Sequence, residues 1–406
     1  MCDILSVSCL GHGRIILLIK VENLLITNYD ALIVGAGYAG AVCARELAEG
    51  GKRVLVLERH DHVGGNAYDC LDSQGVLIHQ YGPHIFHTND KEVYDYLSQF
   101  TPWLDYQHRV VANVHGCLMP VPFNLDSLEI AFGERAPALA EKLIAAYGAE
   151  SKVTILDLRQ NTDPELKEIA DYVYENVFVN YTMKQWGTTP EQIDPNTTAR
   201  VPVFLSRDDR YFQDTYQGMP ANGYTSLFTR LLDHPNITVE LNCDAISRLS
   251  FSEEGVKLDG ELVPGPVVYT GAVDELFGGR FGALPYRTLE FQFETHAVEW
   301  YQTRGTVNYT VDQPYTRITE FKHMTGQTDK QTTIVKEFSK AYTGAPGEIP
   351  YYAIINPENT ALYEKYKALA DGVPGLHLLG RLAEYKYYNM DAIVARALAL
   401  ADALLQ

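Results

Sequence analysis

Three glycines and one acid carry the first chemistry that this chain could do. Gly35, Gly37 and Gly40 form G-x-G-x-x-G directly after the apolar run Ala31–Val34. In that setting the first glycine permits a tight turn and the second lets backbone approach a pyrophosphate. The third lets a helix pack close on a sheet. The phosphates would rest on the helix N-terminus, where unpaired N–H groups and the positive dipole end face an anion. Glu58 closes a second expected strand, 53–57, eighteen residues past Gly40, close to the spacing of a carboxylate that grips ribose hydroxyls. A glycine-rich turn alone is also plain structure. Strand, turn, helix, strand and terminal acid in one unit of about thirty residues point to a dinucleotide.

The next residues choose the dinucleotide. Glu58-Arg59 followed by Gly64-Gly65-Asn66 resembles the extended fingerprint of FAD-binding flavoproteins, in which a second glycine pair lets the chain pass close to the cofactor. GVLIHQYGPHIFHTND (75–90) brings His79, His84 and His87 together, which invites a metal site. No carboxylate or thiol completes a ligand set with sensible spacing, so no metal is expected. The alternative places His84 and His87 on a loop beside the flavin ring, donating hydrogen bonds to cofactor or substrate. In NYTMKQWGTTPEQIDPNTTARVPVF (180–204), Tyr181 and Trp186 are either core filler or an aromatic pair at a helix end that clamps a base. The stretch behind them, with Pro190 and Pro195, reads as a mobile loop delivering Arg200, either a solvated charge or a phosphate clamp that arrives on closure. Asn308, Arg317 and Tyr352 fall in or just after strands and are uninformative one by one. Arg381, Tyr387, Met390 and Asp391 lie at a turn before the last helix, where an acid suits the helix dipole.

The elements that must hold these residues read as an α/β protein with a discontinuous Rossmann-type FAD-binding domain. That domain takes 29–107, 217–272 and 372–406. Helical spacing in 125–147 and 163–180 predicts an inserted helical domain, 122–200, with a mobile loop near 190–206. Alternating runs between 286 and 337 predict a mixed or antiparallel sheet domain made of 108–121, 207–216 and 273–371. Residues 1–28 read as an extension with no signal-peptide pattern.

Composition narrows the partners. The net charge of −19 argues against nucleic acid or an anionic membrane, and an anionic nucleotide would need its arginines gathered in one cleft. No apolar stretch is long enough for membrane insertion. Six scattered cysteines without a C-x-x-C pair read as reduced thiols, hence a cytoplasmic protein. A homodimer or higher homo-oligomer is expected.

Seven blocks, GPHIFHTND, YTMKQWG, RYFQDTYQGMP, RFGALPYR, PYTRI, PYYAI and GRLAEYKYYNMD, resemble in this order the motifs of bacterial-type UDP-galactopyranose mutases. The likeness covers about residue 29 to the end. It implies an isomerase that interconverts UDP-galactopyranose and UDP-galactofuranose without net redox change, with reduced FAD as nucleophile on the anomeric carbon. On that resemblance Tyr181 and Trp186 contact uracil, with Thr182 between them, and His108 stands where the family has an asparagine near the uridine. Arg200 and Arg317 hold the pyrophosphate, Tyr211, Tyr352 and Tyr387 bind the diphosphate, and Asn308 is a substrate amide. His87 lies near sugar and flavin; Gly35, Gly37, Gly40, Glu58, Asn66, His84, Arg381, Met390 and Asp391 match the FAD set. Phe204 replaces a second loop arginine, for which Arg207 could substitute, and Asn389 replaces a common aspartate. Relatives acting on UDP-N-acetylgalactosamine, UDP-arabinopyranose or dTDP-fucose share the skeleton, and an FAD oxidoreductase of the amine-oxidase type shares the N-terminal fingerprint.

Overall fold

A computed structural model describes residues 25–187 and 202–406. Five strands, Ala31–Val34, Val54–Leu57, Ile237–Glu240, Val267–Tyr269 and Leu376–Leu378, form one parallel sheet. Their spatial order is 237–240, 54–57, 31–34, 267–269, 376–378. The chain steps outward twice from Ala31–Val34, then returns to its other side, so the order reverses between 31–34 and 267–269. In such sheets the ligand crevice lies beyond the carboxyl ends at the reversal. Both glycine-flanking strands are buried at every position, as apolar runs covered on two faces should be.

Helices Tyr38–Glu49, Tyr224–Leu232 and Met390–Leu405 cover one face. The small antiparallel meander 249–262 packs on the other. The helix Pro357–Asp371, which sequence periodicity did not single out, lies beside Leu376–Leu378. Ile26, in the turn Ile26–Asn28, is buried in that second core, so the segment expected as an extension already belongs to the fold there.

A seven-stranded mixed sheet stands beside this domain. Its order is Tyr352–Ala353, Tyr286–His296, Thr332–Ala341, Arg317–Glu320, Thr306–Tyr309, Val110–Val114, Cys117–Val121. Only Thr306–Tyr309 and Val110–Val114 run parallel. The helices Leu125–Phe132, Ala136–Tyr147, Ile155–Leu158 and Pro164–Val173 share one apolar cluster with the hairpin 110–121. Their starts are written in the sequence: Asn124, Thr154 and Asp163 accept first-turn N–H groups, and Pro164 follows Asp163. A π-turn, Tyr174–Phe178, continues into Val179–Trp186.

Two expected loops differ. Val203–Phe204 is a buried strand paired with Lys152–Val153, so the segment expected as mobile up to 206 is anchored at that point. His87 is in the strand Phe86–Thr88, paired with Tyr216–Pro220, rather than in a loop. No helix among the described residues is long and apolar enough to cross a membrane.

Candidate active site

The sheet reversal opens into a cleft lined by Gly35, Gly37, Glu58, Arg59, Gly64, Gly65, Asn66, His84, Arg381 and Met390, among others. Gly35 has φ 101°, and a Cβ there would stand 2.1 Å from Thr270 Oγ1. That hydroxyl donates to the Val34 carbonyl at 2.8 Å, tying the two strand ends on either side of the crevice. Gly37 differs: a Cβ would meet Gly65 Cα at 3.7 Å, an ordinary contact, so the fold itself does not forbid one. Gly40 does not line the cleft. Its missing Cβ would sit 1.9 Å from the Gly35 carbonyl oxygen, so it serves the contact between helix and turn. Gly64 and Gly65 carry φ 101° and 53°, which bring the second glycine pair up against Gly37.

Glu58 is 4 % exposed. Its Oε2 accepts the Ala36 N–H at 2.8 Å, and its Oε1 accepts from His60 N at 2.9 Å and His60 Nδ1 at 2.6 Å. Burial raises its pKa, but these bonds outweigh it and leave the carboxyl below its ordinary range. An ionised acceptor therefore waits where a ribose would lie. Arg59 reaches Glu275 at 3.6 Å. Asp391 does not line the cleft; in the first turn of Met390–Leu405 it accepts from Thr88 Oγ1 at 2.9 Å. His84 was expected as a donor. Its Nδ1 donates to the Gly82 carbonyl at 2.9 Å, and burial pushes its pKa down to about 3. The neutral ring thus has Nε2 as an acceptor.

Beyond the cleft mouth the mixed sheet brings a polar row together by register. Asn308 lies opposite Arg317, and Arg317 opposite Glu337. Arg317 Nε donates to Glu337 Oε1 at 2.6 Å, and Glu337 is 1 % exposed. Neither terminal nitrogen of that guanidinium bonds a described residue. Asn308 Oδ1 is buried without a partner. His108, buried and pushed down to about 3, stands at the foot of this row with Tyr106 Oη 3.0 Å from its Nδ1. Tyr352 stacks on Tyr387 at 6.1 Å, and the Arg381 guanidinium lies 4.7 Å from the Tyr387 ring centre. That pair joins the sheet to the cofactor cleft.

Tyr181, Thr182 and Trp186 share the helix Val179–Trp186, which ends at left-handed Gly187. Trp186 comes within 5.6 Å of Tyr352. The Tyr181 hydroxyl is buried near Arg317, Tyr211 and Tyr352, and its pKa is raised by that burial. Burial raises Tyr352 to about 12, so both phenols stay protonated donors near neutral pH. Arg287, 7 % exposed, donates from Nε to the Gln185 carbonyl at 3.0 Å and from Nη2 to the Lys184 carbonyl at 3.1 Å. Ser339 Oγ adds a bond to Gln185 O at 2.7 Å, and Lys184 Nζ donates to Tyr309 O and Gln313 O. The helix end is therefore riveted to the sheet that carries Asn308 and Arg317.

Arg200 lies outside the described residues. Arg207 does not take the place of the missing second arginine: it is exposed and pairs with Asp126 and Glu129. Phe204 is buried under Lys152 Nζ, 5.3 Å from its ring centre. Sequence reasoning passed over Glu337 and Arg287. Glu337 had a readable signal, a carboxylate in step with the buried Thr333 and Val335 of its strand. Arg287, satisfied by carbonyls, had none. Among the described residues no His, Cys, Asp or Glu cluster could hold a metal, and Cys43, Cys70, Cys117 and Cys243 are free thiols.

A Rossmann sheet, a Gly37 turned toward the cleft, a paired second glycine turn and an ionised Glu58 fit a dinucleotide flavin, and they define the chain as a flavoenzyme of Rossmann type. A NAD(P)-binding Rossmann-like domain pattern matches residues 33–100, and the UDP-galactopyranose mutase pattern matches residues 176–387. The chain is 37% identical to the UDP-galactopyranose mutase of Mycoplasma pneumoniae over 387 residues, 93% of this chain and 97% of the relative. It is 35% identical to the dTDP-fucopyranose mutase of Escherichia coli over 379 residues, 91% and 97% of the two chains. In three dimensions it resembles a reduced UDP-galactopyranose mutase crystal structure with a TM-score of 0.67, at 16% identity and covering 93% and 94% of the two chains. The chain belongs to the UDP-galactopyranose mutase family, and is an isomerase by that membership.

Proposed function

We propose that this protein interconverts UDP-galactopyranose and UDP-galactofuranose with no net oxidation or reduction, and that its cofactor is FAD, active when reduced. The observation that carries this reading is the Asn308–Arg317–Glu337 row set between the Tyr181–Trp186 helix and the flavin cleft. When bound and reduced, the flavin supplies a nucleophile for the anomeric carbon.

The chain's own residues do the rest. Trp186 offers a stacking face for a base at the helix end. Glu337 fixes one edge of the Arg317 guanidinium and leaves the other two nitrogens for a diphosphate, whose departure they would stabilise. Protonated Tyr352 and Tyr181 donate to the same anion, and Asn308 Oδ1 finds a partner only when a donor arrives. Arg200 is proposed as the second guanidinium on the diphosphate. Arg317 with Arg200 as its proposed partner would meet the demand set by a net charge of −19, by putting cations where one dianion binds. An amine oxidase has no diphosphate to hold, and the row argues against that alternative.

The test is incubation with UDP-galactofuranose, with and without dithionite, followed by chromatography. UDP-galactopyranose should form only under reduction. Equal activity of the oxidised protein would sink the mechanism. Conversion of a dTDP-fucose, UDP-arabinopyranose or N-acetylated pair in preference to the galactose pair would move the substrate assignment, which the likeness to the dTDP-fucopyranose mutase makes the second reading.

A further inference from the structure

Asp214 stands between Tyr211 and the strand Tyr216–Pro220, and no step above uses it. Its Oδ2 accepts from His87 Nδ1 at 2.8 Å, and its Oδ1 accepts from Asn89 Nδ2 at 2.6 Å. Phe212 lies flat on the same imidazole, 3.6 Å between ring centres and 12° between planes. Gln217, opposite His87 in the strand pair, donates to the carbonyls of Phe212 at 3.1 Å and Asp214 at 3.0 Å. One face and one edge of the His87 ring are thus held by a locked loop. Its Nε2 has no partner among the described residues.

The bond to His87 holds the Asp214 carboxyl below the usual carboxylate range, so it is ionised and can only accept. The Nδ1 proton is therefore obligatory, and a neutral ring must present Nε2 as a lone pair. Lys152 acts on Asp214, and His108, which itself feels both Arg317 and His87, stands on the sheet side of the pair. His87 is not part of the flavin-cleft lining; on the mutase reading it borders the sugar side of that cleft, since His84, three residues earlier, lines the cleft and Phe212, stacked on His87, also faces His108 at 6.1 Å.

We propose that Asp214 is a positioning residue of the sugar site, which fixes His87 with Nε2 as a bare acceptor for a sugar hydroxyl. The inference rests on the mutase reading. It adds a selectivity: a hydroxyl satisfies that nitrogen, whereas a bare carbon or a carbonyl oxygen does not.

The experiment pairs imidazole nitrogen NMR of the flavin-bound protein with kinetics of Asp214→Asn. In the wild type His87 should carry its proton on Nδ1. The Asp214→Asn amide can donate to Nδ1 and should move the proton to Nε2. Turnover of UDP-galactofuranose by the reduced variant should lose about tenfold in kcat/KM with flavin content unchanged, the scale of one hydrogen bond to a buried polar group. Asp214→Glu should recover part of the loss. In a His87→Gln background Asp214→Asn should add less than about twofold, since the carboxylate acts only through the imidazole. A wild-type proton on Nε2, or an equal Asp214→Asn effect in both backgrounds, overturns the proposal. Absent turnover in the wild type would instead refute the mutase reading, while the NMR arm would still decide the role of Asp214.

Discussion

Gly37→Ala and Gly40→Ala should both lower flavin occupancy, for opposite reasons. Gly37 has φ −78° and ψ −173°, ordinary for any residue, and its added Cβ would find its nearest protein atom 3.7 Å away. The apo-protein should therefore unfold within about 0.5 kcal/mol of wild type. On the proposed function the methyl instead takes space meant for the flavin diphosphate. A clash of about 1–3 kcal/mol charged to the cofactor predicts flavin binding weakened roughly tenfold to hundredfold. At Gly40 the added Cβ would stand 1.9 Å from Gly35 O and 3.0 Å from Ile33 Cγ2, both on backbone or core that the sheet fixes. The helix must back away, and the same overpacking cost of about 1–3 kcal/mol or more falls on the fold. Denaturant unfolding of the two apo-proteins, with flavin titrated by fluorescence quenching, separates the cases; apo-protein is essential because bound cofactor stabilises the folded state. Wild-type flavin affinity in Gly37→Ala, or an unshifted unfolding midpoint in Gly40→Ala, would refute the reasoning.

Further outcomes follow from the site. Arg317→Ala should cut turnover about 100-fold or more with flavin retained. It should also destabilise the protein by roughly 3–5 kcal/mol, because Glu337 is left buried and unpaired; turnover near wild type would contradict the role. Trp186→Ala should weaken UDP-sugar binding by about 0.5–1.5 kcal/mol in KM, with kcat changed less. Burial pushes His79 down to about 4 and His108 down to about 3, so the folded state refuses protons that the unfolded chain takes up below its ordinary histidine range near 6.5. Their contribution is full above that value and is lost as pH falls below it, by up to about 1.4 kcal/mol per pH unit for each. His108→Asn should remove about one proton's worth of that slope in denaturant titrations between about pH 6.5 and 5, and an unchanged slope would overturn the assignment.

The parts of this protein that were legible in sequence are local ones. A strand, glycine turn, helix and strand lie within 31–58, and every position of the two strands is buried, so the apolar runs speak plainly. The long sheet strands showed their alternation, and the helix Val179–Trp186 ends where Gly187 said it would. Three-residue polar strands such as Phe86–Thr88 carry no period to read, because pairing with Tyr216–Pro220 rather than local pattern makes them strands. The same holds for the site's second half. Asn308, Arg317 and Glu337 face one another through register alone, and Arg287 finds its carbonyls about one hundred residues away along the chain. Arg207 looked available by position, yet nothing in the sequence said that two acids of the helix Leu125–Phe132 were within reach.

One wall of the flavin cleft comes from Gly380 to Ile393, and the strand beneath it, Leu376–Leu378, closes the edge of the parallel sheet beside Val267–Tyr269. A nascent polypeptide thus presents its glycine turn long before the ribosome has made the residues of the facing wall. A chain cut at 375 lacks both that wall and that edge strand, and should emerge without yellow colour.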